Sequence, residues 1–157
     1  MIETLVVVAI TGIIAVGASI ATIQVLNQST RNTDYTTASR NTLNAINWIS
    51  RDAQMAQDVE PNGASGFPLT LRWVEWDNST HQIIYTLEGS KIRRSYSING
   101  GEPSEIMVAE YINADTQMTN CASDNGVLTF TITASVGEGH QTSNVTKVRE
   151  ISPRPSL

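Results

Sequence analysis

Between Glu3 and Arg31 the chain has no charged residue at all. No proline occurs before Pro61, and no aromatic residue before Tyr35. Nothing in the first sixty residues therefore has to break a helix. There is a single cysteine, Cys121, so an intrachain disulfide is excluded and a cysteine metal site has no second ligand. Only two histidines are present, His81 and His140, and neither sits in a metal-spaced motif. Basic residues are outnumbered, giving a net charge of −5, which argues against a nucleic-acid partner. No GxSxG, P-loop or dinucleotide fingerprint occurs, and the glycines of "SINGGEP" lie between strand-like segments and read as a turn. No catalytic constellation is left, so the expectation is a protein that is not an enzyme.

What is present begins with "MIETLVVVAITGIIAVGASIATIQVLNQ". Leu5 to Leu26 is built mostly of Val, Ile, Ala and Leu. About 20 such residues in a helix span the roughly 30 Å of a bilayer core. A core helix of a soluble domain shows a polar face, whereas this segment is apolar all round up to Gln24. Lipid, further copies of the chain, or both must solvate it. A cleaved signal peptide has a basic start and a shorter apolar core, and neither is found here. Glu3 is favoured at a helix start by the macrodipole. Among packed apolar helices it needs a cation, and the nearest one offered by an identical copy is a terminal amine. Staggered copies then set their register through Glu3 and the amine at the chain start, Met1.

The stretch "IETLVVVAITGIIAVGASI" resembles the N-terminal helix of type IV pilins and type II secretion pseudopilins, through Ile2, Glu3, the aliphatic run and Gly12. The resemblance implies a leader removed by a prepilin peptidase, N-terminal methylation, and insertion in the inner membrane before assembly. It also implies a homopolymer built through the N-terminal helices by an assembly ATPase and a platform protein. Glu3 stands two positions nearer the start than in that family, so a leader and two mature residues are expected to precede Met1, and the amine that pairs with Glu3 then lies ahead of Met1 rather than on it. The mid-helix proline of many pilins is missing, which leaves Gly12 and Gly17 as the points of helix flexibility.

From Asp34 to Gln57 the pattern becomes amphipathic. Leu43, Ile46, Ile49, Ala53 and Ala56 mark a buried face, and Arg40, Asn44, Asn47, Arg51 and Gln54 the opposite one. Asp34 reads as an N-cap after the polar "NQSTRNT", which is expected to bend or loosen the helix. "EPNGASGFP" ends it. The segments "LTLRWVEW", "HQIIYTLE", "KIRRSYSI", "EIMVAEYI", "VLTFTITASV" and "NVTKVREI" then read as antiparallel strands separated by turns, and Pro153 and Pro155 mark an extended tail. If "LTLRWVEW" is one strand, Trp73 and Trp76 lie on opposite faces, one packed toward the helix near Trp48 and one exposed.

The expected fold is α+β: a long N-terminal helix whose second half packs on an antiparallel β-sheet head, pilin-like in plan. Residues 1–30 form the assembly or transmembrane half-helix. Residues 31–157 form the head, with its half-helix at 34–57 and its sheet at 69–151. "IIYTLEGSKIRRSYS" and "TKVRE" faintly resemble J-type minor pseudopilins. Three functions are consistent with these features: a subunit of a cell-surface filament, a minor pseudopilin of a secretion system, or a membrane-anchored adhesin-like module. Some pseudopilins hold calcium in a late loop, but Asp115, Asp124 and Glu138 are scattered without a DxDxDG arrangement, so no metal or other cofactor is expected. Three glycosylation sequons occur, at Asn27, Asn78 and Asn144, with Asn78 in an expected hairpin loop.

Overall fold

The computed structural model describes residues 2–63 and 66–155. One helix, α1, runs unbroken from Ile2 to Met55. The polar stretch does not bend it: seven polar residues without proline or glycine leave the backbone ladder intact. Asp34 is therefore an interior helical residue and not an N-cap, a correction to the sequence reading. The ladder ends where the Ala56 amide donates to the Asp52 carbonyl, and the next amide, Gln57, donates to Arg72 of the sheet.

Eight strands follow: β1 (Asp58–Glu60), β2 (Leu69–Val74), β3 (Thr80–Glu88), β4 (Lys91–Ile98), β5 (Ser104–Ala109), β6 (Asn120–Asp124), β7 (Val127–Val136) and β8 (Ser143–Ile151). They form two antiparallel sheets where the sequence reading anticipated one: a five-stranded meander β1-β2-β3-β4-β5 and a three-stranded meander β6-β7-β8. The sheets adjoin through a bridge between Ile112 and Ala134. Hydrogen bonds from Asn113 to Thr133 and from Ser135 to Tyr111 flank it.

The class is α+β, with the second half of α1 packed on the sheets; a long apolar N-terminal helix on antiparallel strands is pilin-like in shape. The buried helix positions Ala38, Thr42, Ala45, Ile49 and Ala53 recur every three or four residues, as one face requires. Their small side chains let the strands come close. Leu43, expected inside, is 43 % exposed, because it lies well round the helix from the line through Ala45 and Ile49. Opposite this face the strands alternate. Leu69, Leu71 and Trp73 of β2, Ile83 and Tyr85 of β3, and Leu128, Phe130 and Ile132 of β7 fill the core. β8 runs alongside α1: Thr42 Oγ1 donates to the Val145 carbonyl, and Arg149 reaches Ser50. The tail returns to the helix end, where the Arg154 amide donates to the Ala56 carbonyl.

Candidate functional site

The first half of α1 makes no contact that covers it. Every residue from Ile2 to Thr33 is exposed, a length of about 48 Å at the α-helical rise. Leu5, Val8 and Ile13 are each at least 70 % exposed. The segment is long and apolar enough to cross a membrane. Its hydroxyls are turned inward on the helix itself. Thr11 donates to the Val7 carbonyl, Ser19 to Ala15, Thr22 to Ala18 and Thr30 to Leu26, at 2.8–3.1 Å. Side chains that return their protons to the preceding turn present little unsatisfied polarity to an apolar surrounding. Up to Ile23 the one charged side chain is the carboxylate of Glu3. Met1, its expected register partner, lies outside the described residues. Gly12 and Gly17 sit in regular helix with open space where a Cβ would stand.

From Gln24 onward the exposed surface changes chemistry. Gln24, Gln28, Asn32 and Arg40 share a face with Val25, Ser29, Thr36 and Thr37, along a groove of about 740 Å³. The i, i+4 spacing sets these polar groups in one stripe just above the head.

The head is locked to the helix by one buried charged group. Asp52, 2 % exposed on α1, accepts hydrogen bonds from the Tyr85 hydroxyl of β3 and from Arg94 Nε of β4, the latter at 2.7 Å. The Arg94 guanidinium lies 5.2 Å from the ring centroids of both Trp48 and Tyr96. Burial, with the adjacent Asp52 charge and hydrogen bond, pushes the Tyr85 phenol well above its ordinary value. Beside this clasp opens a recess of about 340 Å³ between Trp48, Arg51, Met55, Trp73, Arg94 and Tyr96. Trp73 stacks on His81 with centroids 4.9 Å apart, and His81 Nδ1 meets the Tyr96 hydroxyl at 2.6 Å. His81 is thus a packed strand residue. His140 falls in the short 3-10 turn Gly139–Gln141.

Just past this same end of β2 the chain turns through Glu75, Trp76, Asp77 and Asn78. Strand β2 ends at Val74, so Trp76 belongs to the turn and is 92 % exposed, while Trp73 is buried. The turn is well tied. Glu75 and Ser79 are joined through their backbones, and the Asn78 amide donates to the Glu75 carbonyl. Asp77 Oδ1 accepts from both the amide and the hydroxyl of Ser79, which hold its carboxyl below the usual range. Asn78 takes a left-handed φ of 63°, a conformation Asn tolerates better than most residues. It occupies the hairpin loop expected of a sequon. Asn144 is exposed on β8, and Asn27 on α1.

The remaining candidates are not drawn together. Asp115 caps the amide of Gln117, Asp124 ends β6, and Glu138 precedes the 3-10 turn. Among the described residues no three His, Cys, Asp or Glu side chains are grouped to hold a metal ion. Cys121 is buried with its thiol donating to the Gly66 carbonyl, and burial pushes that thiol up to about 12. No family model, no curated protein and no solved structure matches this chain.

Proposed function

We propose that the chain is the structural subunit of a type IV pilus-like filament at the cell surface, membrane-anchored before assembly and polymerised through the exposed half of α1. One observation carries this reading: a fully exposed helical stretch, apolar on every side up to Ile23, with Thr11, Ser19 and Thr22 satisfied on the helix itself and a single carboxylate at its start. Lipid would accommodate the apolar surface and the helix dipole favours the carboxylate, but neither sets a register between copies. A bundle of staggered copies accommodates both, because Glu3 of one helix can be neutralised by the terminal amine of the next. Apolar burial alone does not drive extrusion, since the membrane already shelters those side chains; an energy-supplying assembly machine is part of the proposal.

The test is Glu3→Ala in the source cells. Filaments sheared from the surface are weighed and their subunit content read by mass spectrometry, with the N-terminal peptide in the same run. Loss of filament incorporation, with the chain still folded and present in the membrane fraction, is the expected result. Normal filament yield from Glu3→Ala would refute the register argument. Monomers in detergent and no filaments from the unaltered chain would leave an anchored binding module.

A further inference from the structure

The turn after β2 and the recess beside the clasp are complementary in side-chain chemistry and charge. The turn presents one indole, 92 % exposed, between two carboxylates, Glu75 and Asp77. Its backbone and Asp77–Ser79 hydrogen bonds hold it in a single shape, so little ordering cost is left for binding. The recess, about 340 Å³, lies at the small end of ligand-pocket sizes and suits one ring system. Its wall is aromatic and thioether: Trp48, Trp73, Tyr96 and Met55. Its rim carries Arg51, which is exposed and makes no ion pair among the described residues. Arg94 in the same wall is already paired with Asp52, which leaves the recess one positive charge in excess.

The two features do not meet within one molecule. Trp73 helps form the recess, whereas Trp76, three residues on in the turn, is 92 % exposed and so lies outside it. A contact between them therefore has to join two chains.

We propose that Trp76 of one copy docks in the Trp48–Met55–Tyr96 recess of a neighbouring copy, with Glu75 and Asp77 facing Arg51. The contact is heterologous, each head giving its turn to one neighbour and its recess to another, so in a filament it repeats from copy to copy. A buried Trp ringed by opposite charges is the composition of an interface hot spot. This inference deepens the filament reading and rests on it for where the copies meet: α1 sets the core, and this contact joins the heads.

The test mixes two full-length variants, one carrying Val74→Cys beside the turn and the other Gln54→Cys on the exposed helix surface beside the recess, and joins them with a short bis-maleimide. The cysteines are placed on separate copies because within one molecule the Val74 amide already donates to Gln57 at the helix end. Cys121 stays unlabelled because it is buried. A crosslinked dimer of the two variants is expected, and only monomers from either variant alone. Trp76→Ala in the first variant should cut the dimer about tenfold or more. Arg51→Glu in the second should also cut it, and Glu75→Arg added to the first should restore it. Filaments seen by electron microscopy without the dimer, or a dimer indifferent to Trp76→Ala, would overturn the contact and leave the filament reading intact. The dimer without filaments would support the contact and overturn the filament reading. Crosslinking only to a different protein would overturn the choice of a second copy.

Discussion

Removing the Asp52 carboxylate should be the most damaging single change in the head. Asp52→Ala strips the acceptor from two groups at once, the Tyr85 hydroxyl and the Arg94 guanidinium. The side chain of Arg94 is only 13 % exposed, so its charge would be left largely out of water with no partner. Breaking a buried ion pair from one side costs about 3–5 kcal/mol. An orphaned buried hydroxyl adds roughly 1–3 kcal/mol where water cannot reach it. The two costs overlap, so about 4 kcal/mol is expected in total, against the 5–15 kcal/mol or so that holds a domain together. The assay is urea unfolding of the full chain in mild detergent, followed by tryptophan fluorescence, with Trp48 reporting from beside the clasp. Asp52→Asn keeps one carbonyl acceptor and should lose about half as much. The triple change Asp52→Leu, Tyr85→Phe, Arg94→Met removes all the orphans together and should recover most of the loss, since apolar groups can replace a buried pair at little cost. A cost below about 1 kcal/mol for Asp52→Ala, or a triple variant no better than the single one, would refute the reasoning.

Two further outcomes follow from the head. The Tyr85 phenol is raised in the folded chain by burial and by Asp52, so its contribution is complete below the unfolded value of about 10 and is lost as the pH climbs past it. The urea midpoint should therefore hold from neutrality to about pH 9 and fall above about pH 10, with Tyr85→Phe making the fall shallower; an unchanged slope in that variant would count against the assignment. Gly137, at a φ of 109°, has no room for a side chain: a Cβ would stand 2.6 Å from the Gln141 carbonyl oxygen. Gly137→Ala should cost about 1–3 kcal/mol in the same assay, and an unmoved midpoint would show that the β7–β8 turn yields freely.

Much of the fold could be read along the chain because it is written in local periodicity. The alternation in "KIRRSYSI" and "VLTFTITASV" places β4 and β7 to the residue. β1 escapes because three residues, two of them acidic, carry no pattern; β6, "NCASD", has no large apolar residue to alternate. The second sheet is a matter of which strand edges meet, and no turn sequence specifies that. At "NQSTRNT" the sequence misleads for the opposite reason: polarity changes there while the backbone does not, since nothing in the stretch disfavours the helix. The clasp was out of reach for another cause, since its partners are 33 and 42 residues apart in the chain. One signal did point to it. Asp52 is the sole charge flanked by Ile49, Ala53 and Ala56 on the inward face, and a carboxylate there demands a partner. The recess and the exposed turn are likewise products of packing: Trp76 is free because β2 stops at Val74, not because of its odd spacing from Trp73.

The unbroken helix has a mechanical consequence. The clasp ties β3 and β4 to one side of α1, and β8 runs along the other, with no hinge between that grip and the projecting half. The molecule is a crank: turning the shaft by any angle swings the head through the same angle. If such shafts are bundled, each step of rotation in the bundle reappears at the periphery, and twisting or stretching the rod must shear one head past the next. The stiffness of the rod would then reside in its rind as much as in its axis.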